Sequence, residues 1–188
     1  MQMTKMRAAG ALLAAAFITQ PVMAAEEGYF IGFGAGVSSL QIDDFGNDEF
    51  DDQDTAYQLH VGYNFSRNWG VQVAYNRTGD FDDVGVGIEV EGIEINGMYS
   101  LNVTQAWSVH ARLGVYNYDI SAESNGSGGQ SLSGSGRETD GIVTLGTELV
   151  GDETLRFSLE GKYVVDNDAD LFSVLAGLNI GFGGNNAD

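Results

Sequence analysis

From Tyr29 to Phe182 the chain alternates apolar and polar side chains in eight runs separated by polar stretches. A period of two sets alternate residues on opposite faces of an extended chain, so each run is predicted to be a β-strand. In the last run Phe172, Val174, Ala176, Leu178, Ile180 and Phe182 share one face, and Leu171, Ser173, Leu175, Gly177, Asn179 and Gly181 the other. Its twelve residues slightly exceed the roughly 9 to 11 that a tilted strand needs to cross a bilayer. The first run sets Tyr29, Ile31, Phe33, Ala35 and Val37 against a face built of Phe30, Gly32, Gly34, Gly36 and Ser38. Runs from Tyr57 to Phe65 and from Trp69 to Tyr75 flank Ser66-Arg67-Asn68 and predict a hairpin. The others cover Ile93 to Leu101, Trp107 to Val115, Val143 to Leu149 and Leu155 to Val165.

Ile88 and Val90 lie in the phase opposite to Ile93 and Ile95. This predicts either a bulge at Gly92 or an extension of the strand above the membrane. The connections alternate short and long. The long ones are an acidic stretch from Gln41 to Asp54, a polar stretch from Asn76 to Gly87, and a Gly/Ser-rich stretch from Ser121 to Gly136. The last is predicted to be too polar to pack and mobile. Asp166 to Ala169 is short.

The predicted fold is all-β, an eight-stranded antiparallel up-and-down transmembrane β-barrel. The competing architecture is a soluble lipocalin-like carrier, whose apolar face would point inward around a hydrophobic ligand. Three features favour the membrane barrel. The polar face is rich in glycine and other small residues, which suits a narrow lumen filled by side chains. Tyr29, Phe65, Trp69, Trp107 and Phe182 gather at one end of the strands, and Tyr57, Tyr75, Tyr163 and Phe172 near the other, as interfacial girdles do. All charges at the strand centres lie on the polar face.

Composition adds export and an acidic surface. Lys5 and Arg7, an apolar run from Ala8 to Ile18, and Val22-Met23-Ala24 form a secretory signal at residues 1–24, too short to be a membrane-spanning helix. The barrel domain then occupies residues 25–182, and 183–188 form a short periplasmic tail. Without the signal the chain carries six basic against 27 acidic residues, a formal charge of −21, so nucleic acid is not an expected partner. Cysteine is absent, which excludes disulfides and thiolate metal sites.

Half of those six cations fall on the lumen face. Arg112, Arg156 and Lys162 are set against Glu94, Glu148 and Glu160, and the six are predicted to form a lumen ion-pair network. A turn at Gly151-Asp152-Glu153 would place Leu149 opposite Leu155 and Glu148 opposite Arg156. A pairing of Leu101 with Trp107 would leave Glu94 diagonal to Arg112. The expected role is a charged plug; the alternative is a gate whose pairs swap to open a narrow pore.

The signal, the eight alternating strands, the short turns at one end, the acidic or Gly/Ser-rich loops at the other and the terminal Phe182 together resemble the small outer-membrane barrel family typified by the membrane domain of outer membrane protein A. Tyr29-Phe30-Ile31-Gly32-Phe33-Gly34-Ala35-Gly36 is similar to that family's first strand, and Gly177, Ile180 and Phe182 approximate its C-terminal assembly signal. The resemblance implies a Gram-negative outer membrane, both termini in the periplasm, and insertion by the barrel-assembly machinery. Residues follow Phe182, and a tethering role through the cell-wall-binding domain of the long members is not expected.

The remaining motifs carry no predicted chemistry. Resemblance to lipid A-modifying barrels would require histidine with serine and a carboxylate at the outer-leaflet rim. Ser108 and His110 instead share a face near the periplasmic end, and His60 is mid-strand. Gly32-Phe33-Gly34-Ala35-Gly36 lies within a strand and opens no helix, so it is not a nucleotide loop. Asp43 to Asp54 and the trio Asp166, Asp168 and Asp170 could offer hard oxygen ligands, but they are read as solvated acidic loops. The expected protein is therefore a monomeric, non-enzymatic outer-membrane structural protein without catalytic, metal or cofactor site. Its partners are outer-membrane lipid, lipopolysaccharide and a surface ligand reached through the loops.

Overall fold

The computed structural model describes residues 27–45, 48–83, 86–125, 131–151, 154–165 and 169–182. The predicted signal (1–24), the tail (183–188), and Asp166 and Asp168 lie outside these residues. The alternating runs form eight strands: β1 (Gly28–Phe45), β2 (Asp48–Asn64), β3 (Trp69–Asp83), β4 (Val86–Asn102), β5 (Trp107–Asn125), β6 (Ser131–Val150), β7 (Leu155–Val165) and β8 (Ala169–Phe182). Each pairs antiparallel with its neighbours in sequence, and β8 returns to β1 from Tyr29↔Phe182 to Ile42↔Ala169, closing the barrel. Closure leaves no strand edge in the hydrocarbon, where an unpaired peptide group would cost several kcal/mol.

The apolar face points outward. Leu113 and Leu145 are 66% and 63% exposed, and every predicted girdle aromatic is exposed with them. Tyr29 stacks on Phe182 across the closing seam and packs at 4.8 Å on Tyr63, and Trp69 packs at 4.8 Å on Tyr99. A lipocalin would show the reverse, so the lipocalin arrangement is excluded.

Two predicted registers are corrected. Val103 N–H donates to Trp107 C=O at 2.9 Å and Gly151 N–H to Leu155 C=O at 2.8 Å. The ladders therefore run on until three residues are left in each turn. This sets Leu101 opposite Val109 and Leu149 opposite Phe157, with Glu148 opposite Ser158, two residues from the predicted pairing. The displacement is even, so every side chain keeps its face. Phe65 N–H closes on Trp69 C=O at 3.1 Å around the predicted Ser66-Arg67-Asn68 turn.

The long connections are corrected as well. Most of Gln41–Asp54, Asn76–Gly87 and Ser121–Gly136 is strand rather than loop, because a ladder is built from backbone groups and polar side chains do not end it. Of the alternatives at Gly92, the extension holds. β4 passes straight through Gly92↔Asn76, and Ile88 and Val90 point inward on the same face as Glu94. The irregularity sits on β3, between Arg77 and Asp80.

Candidate functional site: the filled lumen and the outer rim

The glycine face of β1 makes room for the site. A Cβ at Gly32 would overlap the His60 ring and the Asn179 amide. His60 Nε2 and Asn179 Oδ1 meet there at 2.6 Å, and Asn179 Nδ2 donates to Glu148 Oε1 at 2.8 Å. Glu148 Oε2 lies 3.8 Å from Arg156 Nη1 at the turn end of the lumen, where both side chains keep partial exposure.

The middle layer is centred on Glu160. Arg112 reaches both of its carboxylate oxygens, with Nη1 donating at 3.0 Å to Oε1, and the same Nη1 donates at 3.0 Å to Gln72 Oε1. His110 Nε2 stands 3.3 Å from Glu160 Oε1. One layer up, Lys162 Nζ donates to Glu94 Oε2 at 2.5 Å and to Asn76 Oδ1 at 2.8 Å. Asn76 Nδ2 and Asn96 Nδ2 donate to Glu94, and Gln58 Nε2 donates to Asn76 at 3.0 Å. All six predicted lumen charges thus meet in three opposite-charge pairs. The correction concerns partners: Glu94 binds Lys162, and Arg112 binds Glu160, because the longer β4–β5 ladder carries Arg112 to Met98, four residues from Glu94.

Above the charges sits an apolar cap that the sequence reading missed: Leu40, Ile88, Val90, Tyr116, Tyr118, Ile142, Val164 and Leu171. The signal was present in Ile88 and Val90, apolar side chains in the lumen phase. Tyr116 and Tyr118 stack at 4.9 Å. Between cap and charges, Thr78, Asn76, Tyr116, Lys162 and Ser173 border a void of about 20 Å³, enough for one water, which needs roughly 10–15 Å³. The five amides Gln58, Gln72, Asn76, Asn96 and Asn179 were also not singled out, since a lumen amide looks in sequence like any solvated one.

At the outer rim the charges pair across strands. Arg77 Nη2 lies 2.7 Å from Glu89 Oε1, and Arg137 grips Asp119 with Nε and Nη2, both at 2.9 Å. That guanidinium holds the Asp119 carboxyl below the usual carboxylate range by hydrogen bonding first and charge second. Tyr118 OH donates to Asp140 Oδ2 at 2.7 Å, and Tyr163 OH to Asp170 Oδ1 at 2.5 Å. Side chains from 41 to 52, with most of the predicted acidic cluster, lie outside the described ones. Among the described residues no three metal-ligating side chains converge.

The predicted assembly-signal residues occupy the end of β8. Gly177 lies opposite Gly34 on β1, Ile180 faces outward opposite Ile31, and Phe182 closes the seam on Tyr29.

The family model described as the outer membrane protein beta-barrel domain matches residues 10–183. The chain belongs to that family. A comparison with curated proteins gave no match. Among solved structures it is similar in fold to Neisserial surface protein A, with TM-score 0.67 and 12% identity over 84% of this chain and 99% of that one. OprG from Pseudomonas aeruginosa gives 0.64 and 16% over 86% and 99%. The attachment invasion locus protein Ail of Yersinia pestis gives 0.55 and 18% over 83% and 99%. At these identities the likeness is one of fold.

Proposed function

We propose that this chain is a non-enzymatic surface protein of the outer membrane, exported by a signal cleaved after Ala24. In this reading its lumen is closed by charge and apolar packing, and its outer hairpins make contact with other molecules. The observation that carries the reading is the filling of the lumen. Three ion pairs and their amides occupy the lower layers, a cluster of buried apolar side chains lies above them, and the void between takes about one water. A pore would need those layers to part together. Function then falls to the hairpins, where outer-membrane barrels carry their variable contacts.

The likeness in fold to Ail, the attachment invasion locus protein, supports the same class of role. Ail has also been solved with the heparin analogue sucrose octasulfate, a polyanion. The hairpins here favour the opposite charge, since Arg77 and Arg137 are each held by a carboxylate. His60 against Asn179 and His110 against Glu160 are read as interior packing.

The test is conductance in a planar bilayer, with folding verified by slower mobility on boiling in detergent. The expected result is a heat-modifiable protein that does not conduct. Steady channel currents that change in Glu148→Ala would replace the plug with a gated pore. A lipid A change lost in His60→Ala or His110→Ala would replace it with an enzyme.

A further inference from the structure

Above the level where β7 ends, β6 has a neighbour on one side only among the described residues. Its ladder with β5 runs without a break from Trp107↔Leu149 to Asn125↔Ser131, whereas its ladder with β7 stops at Gly141↔Val165. Alternation fixes which peptide groups are left over. Val150 N–H donates toward β5, to Ala106 C=O, and Gly151 N–H donates toward β7, to Leu155 C=O. In an antiparallel strand a residue's N–H and C=O point to the same side, and the side alternates. The N–H and C=O groups of Ser131, Ser133, Ser135, Arg137 and Thr139 therefore point away from β5, to where no strand lies among the described residues. The Glu138 carbonyl agrees, since it accepts from Asn117 of β5 at 3.2 Å.

Such an edge is a template for another strand unless it is blunted. Residues 131–140 contain neither proline nor lysine, and a Cβ at Gly136 would meet nothing within 4 Å. The one cation, Arg137, is turned across the hairpin onto Asp119. The neighbouring charge is negative: Glu138 and Asp140 on β6 and Asp170 on β8 below the gap accept only from the neutral hydroxyls of Tyr118 and Tyr163 in the hydrogen bonds described, whereas the Arg137 charge is paired with that of Asp119. The chain's formal charge of −19 discourages a second copy from approaching this edge.

We propose that the β6 edge from Ser131 to Asp140 binds an extended, positively charged segment of a partner polypeptide. The segment adds as a strand in line with β7, with main-chain hydrogen bonds giving affinity and the carboxylates selecting charge. This deepens, and rests on, the surface-contact reading above.

The test uses the full chain folded in lipid nanodiscs, with a ten-residue peptide of alternating Lys and Thr as the probe. Its controls are an alternating Glu/Thr peptide and the Lys/Thr peptide N-methylated on alternate amides, which keeps charge and removes one hydrogen-bonding edge. The expected result is slowed amide hydrogen exchange at Ser135, Arg137 and Thr139 with the Lys/Thr peptide alone. Ser135→Pro, which removes an outward N–H and spares the β5 ladder, should weaken binding at least tenfold while Ser135→Ala does not; boiling-dependent mobility verifies that both fold. Equal binding of the N-methylated peptide would reduce the effect to charge and overturn the proposal. So would a dimer that Ser135→Pro converts to monomer, which would assign the edge to a second copy. Failure to bind in a protein that does not conduct would sink this edge alone, whereas channel currents would sink the surface-contact reading itself.

Discussion

Lys162 Nζ stands 2.5 Å from Glu94 Oε2, yet the two residues belong to β7 and β4, three strands apart around the wall. Their bond spans the lumen, as does Arg112 on Glu160 between β5 and β7. Neighbouring strands are already held by their ladders. These cross-lumen pairs tie together strands that share none, and they do so between side chains that are almost fully buried.

That placement sets the response to mutation. Breaking one partner of a buried pair leaves an uncompensated charge and costs about 3–5 kcal/mol, while removing both charges is often close to neutral. Lys162→Met and Glu94→Ala are each expected to lower unfolding stability in urea by that amount in lipid vesicles. Glu94→Gln combined with Lys162→Met should recover most of the loss, because the amide oxygen still accepts from Asn76 and Asn96. A double variant as unstable as the worse single one would mean that the layer depends on the charges themselves.

Space inside the wall gives a second contrast. A Cβ at Gly36 would run into the backbone of Val174 and Leu175 on β8, where nothing flexible can give way, whereas at Gly97 on the lipid face the nearest atom is 3.9 Å away. Gly36→Ala is therefore expected to cost about 1–3 kcal/mol, as overpacking does. Gly97→Ala should be neutral or stabilising by about 0.5–1 kcal/mol, since glycine disfavours a strand interior by that much. Parallel urea titrations decide it, and equal losses at the two positions would remove the steric account.

The lipid face responds to charge rather than volume. Leu145 is 63% exposed near the middle of the part of β6 that pairs with β7, Gly141 to Val150, on the face shared with Val143 and Leu149. Leu145→Arg is expected to cost about 2–4 kcal/mol, the depth-dependent penalty for a cation near the bilayer midplane. Folding yield into vesicles against urea concentration measures it. A cost near zero would place Leu145 close to an interface.

What the sequence made legible was facing, and what it hid was reach. Alternation assigned Glu160 and Arg112 to one side and Leu113 to the other, because the period of a strand is carried by every residue. Strand ends carry no such signal. Gly151 and Val103 continue their ladders in a sequence that already looks like turn, and that moved each predicted pairing by two residues. The partners of Glu94 were hidden for a related reason: a bond across the lumen depends on how eight registers stack, whereas a bond along the wall depends on one. The Ser121–Gly136 stretch misled because composition reports side-chain packing, and a hairpin ladder needs only backbone.

The outer clip between Asp119 and Arg137 gives a prediction about acid. The pair is directly opposed on β5 and β6 and bonded twice, and the guanidinium lowers the Asp119 pKa from its ordinary value. An unfolded aspartate titrates near about 3.9. Because the folded value is lower, the clip's contribution is present above that pH and is lost as pH falls through the folded pKa. Both side chains are largely exposed, so the effect is screened by salt. The carboxyl ¹³C shift of Asp119 should therefore titrate below the ordinary range at low salt, move toward it in high salt, and return to it in Arg137→Gln. Amides of the β5–β6 hairpin should exchange faster once Asp119 is protonated, with no change in boiling-dependent mobility, because the ladders within the membrane do not depend on this pair. A titration midpoint that Arg137→Gln leaves unmoved would show that the two side chains are not bonded in the folded protein.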